Sequence, residues 1–203
     1  MTSGFDVESL SQRLQPESSV VEAQKKNEPI AAVAIIIDAT REGGSILLIR
    51  REEREGDPWS GQIAFPGGHS SSSDQTLLET AVREALEEVG IHLSEHALLG
   101  ALPALYSRTR RILVAPFVFQ LRSDAKAQLN QEVAESFWVS LKELSNISVT
   151  TSHVHVDQGE LDVDSYVYDG RVIWGLTFRI INILLDRSGL NESNGIRLRS
   201  NGR

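Results

Sequence analysis

The chain has 203 residues, no cysteine, 40% hydrophobic residues and a formal net charge of −8. That length suits one domain with a substantial core, and the lack of cysteine removes disulfides and thiolate metal sites, so nothing points to an oxidising compartment. The acidic balance argues against a nucleic-acid polymer, which needs a basic surface, but leaves room for a small polyphosphate where a metal and a few arginines reverse the local field. Met1 to Glu28 is polar, without the apolar stretch of a signal sequence, and the longest apolar runs, such as Ile30 to Ile37, are too short to span a bilayer. A soluble cytoplasmic protein with no membrane partner is the expectation.

Taken in order, residues 1–28 read as an N-terminal arm with one short helix around Val7 to Leu14, loosened after Pro16 and the serine pair. Pro29 to Asp38, rich in Ala, Ile and Val, predicts a buried strand. Glu42-Gly43-Gly44 turns the chain into Ser45 to Arg50, a second strand, so the two make a hairpin. Arg51 to Gly61 is a charged loop. Phe65-Pro66-Gly67-Gly68 and the polar residues after it lead into a helix, with Asp74 suited as its N-cap and Thr76 with Glu79 forming a capping box in a slightly later register. Leu78, Ala81, Val82, Ala85 and Val89 give that helix an apolar stripe, and Gly90 suits its left-handed end.

Ala97 to Leu105 and Arg111 to Leu121 predict two more strands, joined by the basic segment Ser107 to Arg110. Glu132 to Val139 predicts another, and Ser140 caps a short helix from Leu141 to Leu144. His153 to Val163 alternates apolar and polar residues as a single strand would. Val172 to Leu185, beginning near Trp174, carries helical spacing and predicts a closing helix that Trp174 anchors in the core. Residues 187–203, with several Asn, Ser and Gly, read as a mobile tail, which leaves residues 29–186 as the domain. No internal repeat is present, and the order of strands and helices fits a mixed sheet between helices.

The most informative run is Arg83-Glu84-Ala85-Leu86-Glu87-Glu88-Val89-Gly90-Ile91. Glu84, Glu87 and Glu88 sit at i, i+3 and i+4, within an arc of roughly 100° on one helix face. Like charges at that spacing oppose the helix by about 0.2–0.5 kcal/mol per pair, and anions in its last turn also oppose the macrodipole. Stability alone does not select the arrangement. A hard divalent cation reverses the sign of each repulsion, because it takes several oxygen ligands.

With the glycine turn in front of it, the segment Gly68 to Ile91 resembles the Nudix box: Gly, a glutamate, then Arg-Glu-apolar-x-Glu-Glu-x-Gly-apolar. Arg83 to Ile91 matches at every specified position. The spacing from Gly68 to Arg83 is one residue longer than usual, so the outlying glutamate position falls on Asp74 or Gln75. The resemblance implies the α/β/α Nudix sandwich, with a mixed β-sheet between helices, and a metal-dependent hydrolase that cleaves a diphosphate linked to another moiety. It implies Mg²⁺ or Mn²⁺ held by Glu84, Glu87, Glu88 and the main-chain carbonyl of Gly68, with Arg83 orienting a box glutamate. Glu87 is the choice for general base, with Glu132 as its rival, since many relatives use an acid from a later loop.

Leu47, Leu48, Arg51 and the run Gly61-Gln62-Ile63-Ala64-Phe65-Pro66-Gly67-Gly68 resemble the extra motif of coenzyme A pyrophosphatases. Pro116-Phe117-Val118 and Trp174-Gly175-Leu176-Thr177 are similar to that subgroup as well, so the likeness spans about Ile30 to Leu185. It implies cleavage of coenzyme A or its acyl derivatives to 3′,5′-ADP and a 4′-phosphopantetheine product. Three departures stand against it. One extra residue separates Arg51 from Gly61, Ile49 occupies the Thr position, and the second Arg position falls on Gly56 or Asp57, with Arg54 close by as a substitute. Those departures keep ADP-ribose, a dinucleotide or a nucleoside triphosphate open as substrates, and a non-catalytic nucleotide-sensing module as a third reading.

Arg50, Arg51, Arg54, Arg108, Arg110 and Arg111 offer bidentate phosphate contacts, of which Arg51, Arg54 and Arg110 are assigned to the substrate. Trp59 suits either adenine stacking or packing under its loop. His153 and His155 share a strand face at a metal-compatible spacing, but without a third ligand an exposed face is the better reading. His69 is a loop residue. The partner is a small-molecule diphosphate, and a homodimer is compatible with the sequence.

Overall fold

The computed structural model describes residues 5–19, 30–55, 60–107, 112–156 and 159–190. Eight strands form the main sheet: β1 (Ile30–Asp38), β2 (Ser45–Arg51), β3 (Ile63–Ala64), β4 (Gly67–His69), β5 (Ala97–Ala101), β6 (Leu105–Ser107), β7 (Ile112–Gln120) and β8 (Val133–Ser140). Their order is β3-β2-β1-β7-β5, with β4 paired to β1, β6 to β7 and β8 to β2. β1 and β7 run parallel from Ile30–Leu113 to Ile37–Gln120, and the remaining pairings are antiparallel, so the sheet is mixed. A second antiparallel sheet holds β9 (Thr150–Val156), β10 (Gly159–Tyr168) and β11 (Arg171–Trp174) in the order β11-β10-β9. The helices are α1 (Val7–Arg13), α2 (Leu77–Val89), α3 (Leu141–Asn146) and α4 (Gly175–Ser188).

β1 explains the layering. Alternate residues of a strand face opposite sides, and here both sides are covered, so the run is apolar throughout. Ile35 and Ile37 pack with Ile46, Leu48, Leu10 of α1 and Ile181 of α4. Ala34 and Ile36 pack with Leu47, Phe117 and the α2 stripe of Ala81, Ala85 and Val89. Each fully buried Ile or Leu contributes about 1.5–3 kcal/mol. The result is a helix–sheet–helix α/β sandwich with two cores, one on each face of the sheet.

The elements correct the sequence reading at several points. Ala97 to Leu105 is two strands, because Pro103 interrupts the pairing with β7. His153 to Val163 is the inner part of a hairpin, since Gly159 pairs back onto Val156. The closing helix is preceded by a short strand, β11, and Trp174 is its N-cap position, only partly buried and without a capping side chain. The hairpin of β1 and β2 forms, but only at Ile37–Ile46 and Asp38–Ser45; the beginning of β1 pairs with the glycine turn in β4 instead. In the arm, Asp6 caps α1, Leu10 is buried and Gln15 pairs with Ala101, so residues 5–15 are docked on the domain. The proposed tail beyond residue 190 lies outside the described residues.

Polar contacts add to the shared apolar core in holding the second sheet and α4 against the main sheet. Arg171 donates from Nε and Nη2 to Glu135 at 3.2 and 3.0 Å, and Arg50 donates to the same carboxylate at 3.0 Å. Arg171 also covers the Phe137 ring at 4.4 Å. The Thr177 hydroxyl donates to the Ile63 carbonyl at 2.9 Å, which pins the beginning of α4 to β3. Among the described residues no helix is long and apolar enough to cross a membrane.

Candidate active site

α2 starts at Thr76, whose hydroxyl accepts the Glu79 N–H at 3.2 Å, and ends at Gly90 with φ 67°. The capping box closes one residue early, because Glu79 accepts from the N–H of Gln75. Asp74 is therefore not the N-cap. Its carboxylate, 5% exposed, accepts from the Ser71 N–H at 2.8 Å, from the Thr80 hydroxyl at 2.9 Å, and from Nε and Nη2 of Arg83 at 3.0 and 2.9 Å. Arg83 then donates to the His69 carbonyl at 3.1 Å, to Glu84 at 2.7 Å and to Glu87 at 3.2 Å. Asp74 thus anchors the arginine that fixes two box glutamates.

Arg83, through its side-chain hydrogen bonds, holds the Asp74 carboxyl far below the usual carboxylate range. That lowering stabilises the fold above the unfolded-state pKa and is lost as pH falls below it. Asp74→Asn is expected to cost about 2 kcal/mol in urea unfolding at pH 7, and the two stabilities should converge in acid.

The acidic face is largely withdrawn from solvent. Only Glu87 is well exposed, at 53%; Glu84 is 15% and Glu88 1% exposed. Glu88 points inward under the glycine turn, where it accepts the Gly67 N–H at 2.8 Å and lies 3.5 Å from Nη1 of Arg51. Burial pushes its carboxyl up to about 7, against the lowering by Gly67 and Arg51, with Glu84 and Glu132 raising it further. Burial also raises Glu84, with Glu87 and Glu132 adding to the rise against the lowering by Arg83.

The glycines are required by contact. A Cβ on Gly67 would lie 2.3 Å from the Ala32 carbonyl oxygen and 2.6 Å from Cα of Val33. On Gly68 it would lie 2.6 Å from the carboxyl carbon of Glu84, so the carboxylate rests directly on the Gly68 backbone.

Glu84, Glu88, Gly67, Gly68, Arg51 and Glu132 lie on the wall of one cavity of about 760 Å³. Its other walls are mainly apolar, supplied by β1, β7, the β9–β10 hairpin and α4. Glu87 is not on that wall and leans toward Arg83. Glu132 is on it, 44% exposed, with Arg54 at 3.4 Å. Arg54 also donates to the Gln131 carbonyl at 2.7 Å, so this assigned substrate arginine is committed to the Glu132 segment. Arg110, Arg108 and Arg111 lie outside the described residues, as do Trp59, Gly56 and Asp57. His153 hydrogen-bonds to Asp162 on an exposed strand face. Trp174 lines the cavity, a role that the sequence reading missed by placing it in the core. Its position before Gly175, at a strand-to-helix junction, is the signal that could have found it.

As they stand, no three Asp, Glu or His side chains among the described residues converge on one metal position. The donor set nevertheless fits a hard cation. It is all oxygen, it includes a buried carboxylate with a raised pKa, and the Glu84 carboxylate already touches the Gly68 backbone.

Comparison with known proteins places these features in context. Residues 28–158 match the family model described as NUDIX domain. Over 161 residues the chain is 36% identical to the uncharacterized Nudix hydrolase NudL of Yersinia enterocolitica, covering 78% of this chain and 80% of that one. It is 31% identical over 176 residues to the NudL protein of Pectobacterium atrosepticum, covering 85% and 88%. Among solved structures, a MutT/nudix family protein from Enterococcus faecalis aligns with a TM-score of 0.52 at 12% identity, over 92% of this chain and 74% of that one. The Nudix hydrolase RenU from M. smegmatis aligns with a TM-score of 0.50 at 14% identity, over 83% and 89%. The structural likenesses speak for the fold alone.

Proposed function

The chain belongs to the Nudix family, whose hydrolases act on pyrophosphate bonds, and we propose that its substrate is coenzyme A or an acyl derivative, cleaved to 3′,5′-ADP and a 4′-phosphopantetheine product. The observation that carries this reading is the joining of an acidic, oxygen-rich end to a large apolar chamber in one cavity. A diphosphate with a long, sparsely charged arm fills both parts. Volumes near this one hold drug-sized ligands, roughly 300–1,000 Å³.

Nudix hydrolases use divalent metal ions, and Glu84, Glu87, Glu88 and the Gly68 carbonyl would hold Mg²⁺ or Mn²⁺ here. When bound, such an ion neutralises phosphoryl oxygens and acidifies water. Arg83, tied to Asp74, fixes Glu84 and Glu87 in place before substrate arrives, so little reorganisation is left for the reaction. Arg51 offers a guanidinium to a phosphate beside the buried Glu88. A water adds to one phosphorus, the anhydride P–O bond breaks, and its electron pair leaves with the other phosphate. Glu132 receives the proton of that water; it is preferred over Glu87 because it faces the cavity.

Trp174 at the cavity wall favours a second reading, in which an aromatic base stacks there and the substrate is ADP-ribose, a dinucleotide or a nucleoside triphosphate. A sensor without turnover is the least supported, since every glutamate of Glu84, Glu87 and Glu88 is present. The test is a panel of coenzyme A, acetyl-coenzyme A, ADP-ribose, a dinucleoside polyphosphate and nucleoside triphosphates, with Mg²⁺ or Mn²⁺, products being separated by chromatography. Release of 3′,5′-ADP from the first two as the preferred substrates is expected. Turnover confined to the others would establish the second reading instead.

A further inference from the structure

The β9–β10 hairpin has a two-faced pattern. Val154 pairs with Leu161 and Ser152 with Val163, so these residues and Val156 share one face, while His153, His155, Glu160 and Asp162 share the other. The polar face is held in part by the hydrogen bond of His153 and Asp162 across the strands. On the apolar face, Val156 and Leu161 reach the wall of the cavity. Leu161 remains 44% exposed, so the protein's own packing does not cover it.

The other side of the chamber is apolar as well. Ala31, Ile112 and Val114 form an apolar cluster of their own, which Val33 and Leu176 join to the first core. Side chains from three separate elements (hairpin, β7 and α4) therefore surround a space lined with aliphatic groups.

We propose that Val156 and Leu161, with Val114 and Leu176, form a specificity clamp for an aliphatic chain on the arm of the diphosphate substrate, a neutral acyl group carried as a pantetheine thioester. This rests on the reading of coenzyme A derivatives as substrates. A sugar or second nucleotide in the same place sets its hydroxyls against valine and leucine without hydrogen-bond partners, which is unfavourable. An aliphatic chain gains about fourfold in affinity for each methylene buried. A carboxylate-ended chain would set an unpaired charge against the same valine and leucine side chains, which selects against it.

The experiment uses the full-length protein with Mg²⁺ or Mn²⁺ and acetyl, butyryl, hexanoyl, octanoyl and succinyl thioesters of coenzyme A. The expected result is a rise in kcat/KM of about fourfold per methylene over the shorter chains, expressed in KM, with kcat nearly constant. The succinyl ester should fall at least about tenfold below the butyryl ester. Leu161→Asp, at an exposed position, should keep its thermal transition, flatten the series and raise KM for the hexanoyl ester about tenfold, several times more than for coenzyme A itself. S-Hexanoyl-pantetheine, which has no phosphate, should inhibit competitively, and more weakly in the variant; Leu161→Ala should fall between. A flat series in an enzyme that cleaves coenzyme A, or a Leu161→Asp effect equal on all substrates, overturns the clamp and leaves the substrate reading standing. Failure to cleave coenzyme A and every thioester, with turnover of another diphosphate, overturns both.

Discussion

Glu88→Gln is expected to remove nearly all turnover and, above pH 7, to make the protein more stable. The loss follows from deleting one negative oxygen of the proposed metal-binding set, where a single preorganised group carries about 10²–10³ in rate. The gain follows from burial. The folded-state pKa of Glu88 stands at about 7, above its ordinary 4.5. Between those values the folded protein keeps a proton that the unfolded chain releases, so stability falls as pH rises through this window and stays lower above it. The full penalty is on the order of 3 kcal/mol. A glutamine carries no charge and keeps an oxygen for the Gly67 N–H, so its unfolding should lack that pH dependence. At pH 7.5 without metal, Tm should rise by roughly 5–10 °C. Parallel pH profiles of Tm for the wild type and the variant check both parts, and Mn²⁺ should raise the wild type alone. A variant less stable than wild type across pH 5–8 would show that the buried carboxylate is not the strained group described here.

Gly68→Ala and Gly67→Ala should separate activity from folding at adjacent residues. At Gly68 the added methyl meets only the far end of the Glu84 side chain, at 2.6 Å, and that chain can swing away. Stability should change by less than about 1 kcal/mol, while the displaced carboxylate costs about 10²-fold or more in kcat, as misplacement by an ångström does. At Gly67 the methyl meets backbone, the Ala32 oxygen at 2.3 Å and the Val33 Cα at 2.6 Å. Nothing there yields without breaking the pairing of β4 with β1, so that variant should fold poorly or lose several kcal/mol. Urea unfolding and steady-state kinetics on both proteins decide the matter. Equal stability losses, or an active Gly68→Ala, would contradict the contact between Glu84 and the turn.

These contrasts show what a sequence conveys and what it withholds. The three glutamates were legible because helical spacing is local, and so was the apolar stripe that seats α2 on β1. The burial of Glu88 was not legible, because it depends on Gly67, 21 residues earlier, folding over the helix end. The tie of Arg83 to Asp74 spans nine residues and a loop, so capping preference alone gave Asp74 the wrong role. Arg54 looked available for phosphate because Glu132 is 78 residues away in sequence. The hairpin was misread as one strand because each half of His153 to Val163 alternates; the change of phase from Val154 and Val156 to Leu161 and Val163, across Asp157-Gln158-Gly159, was the overlooked signal. Pro103 marks the break between β5 and β6 in the same way.

A divalent cation is expected to be captured between Glu84, Glu87, Glu88 and the Gly68 carbonyl when a diphosphate is present. Anomalous scattering from crystals soaked with Mn²⁺ and a slowly hydrolysed diphosphate analogue tests it most directly. A peak is expected within coordination distance, about 2.0–2.3 Å, of those oxygens, and is expected to vanish in Glu84→Gln. A bound analogue with manganese elsewhere, or with none, would contradict it.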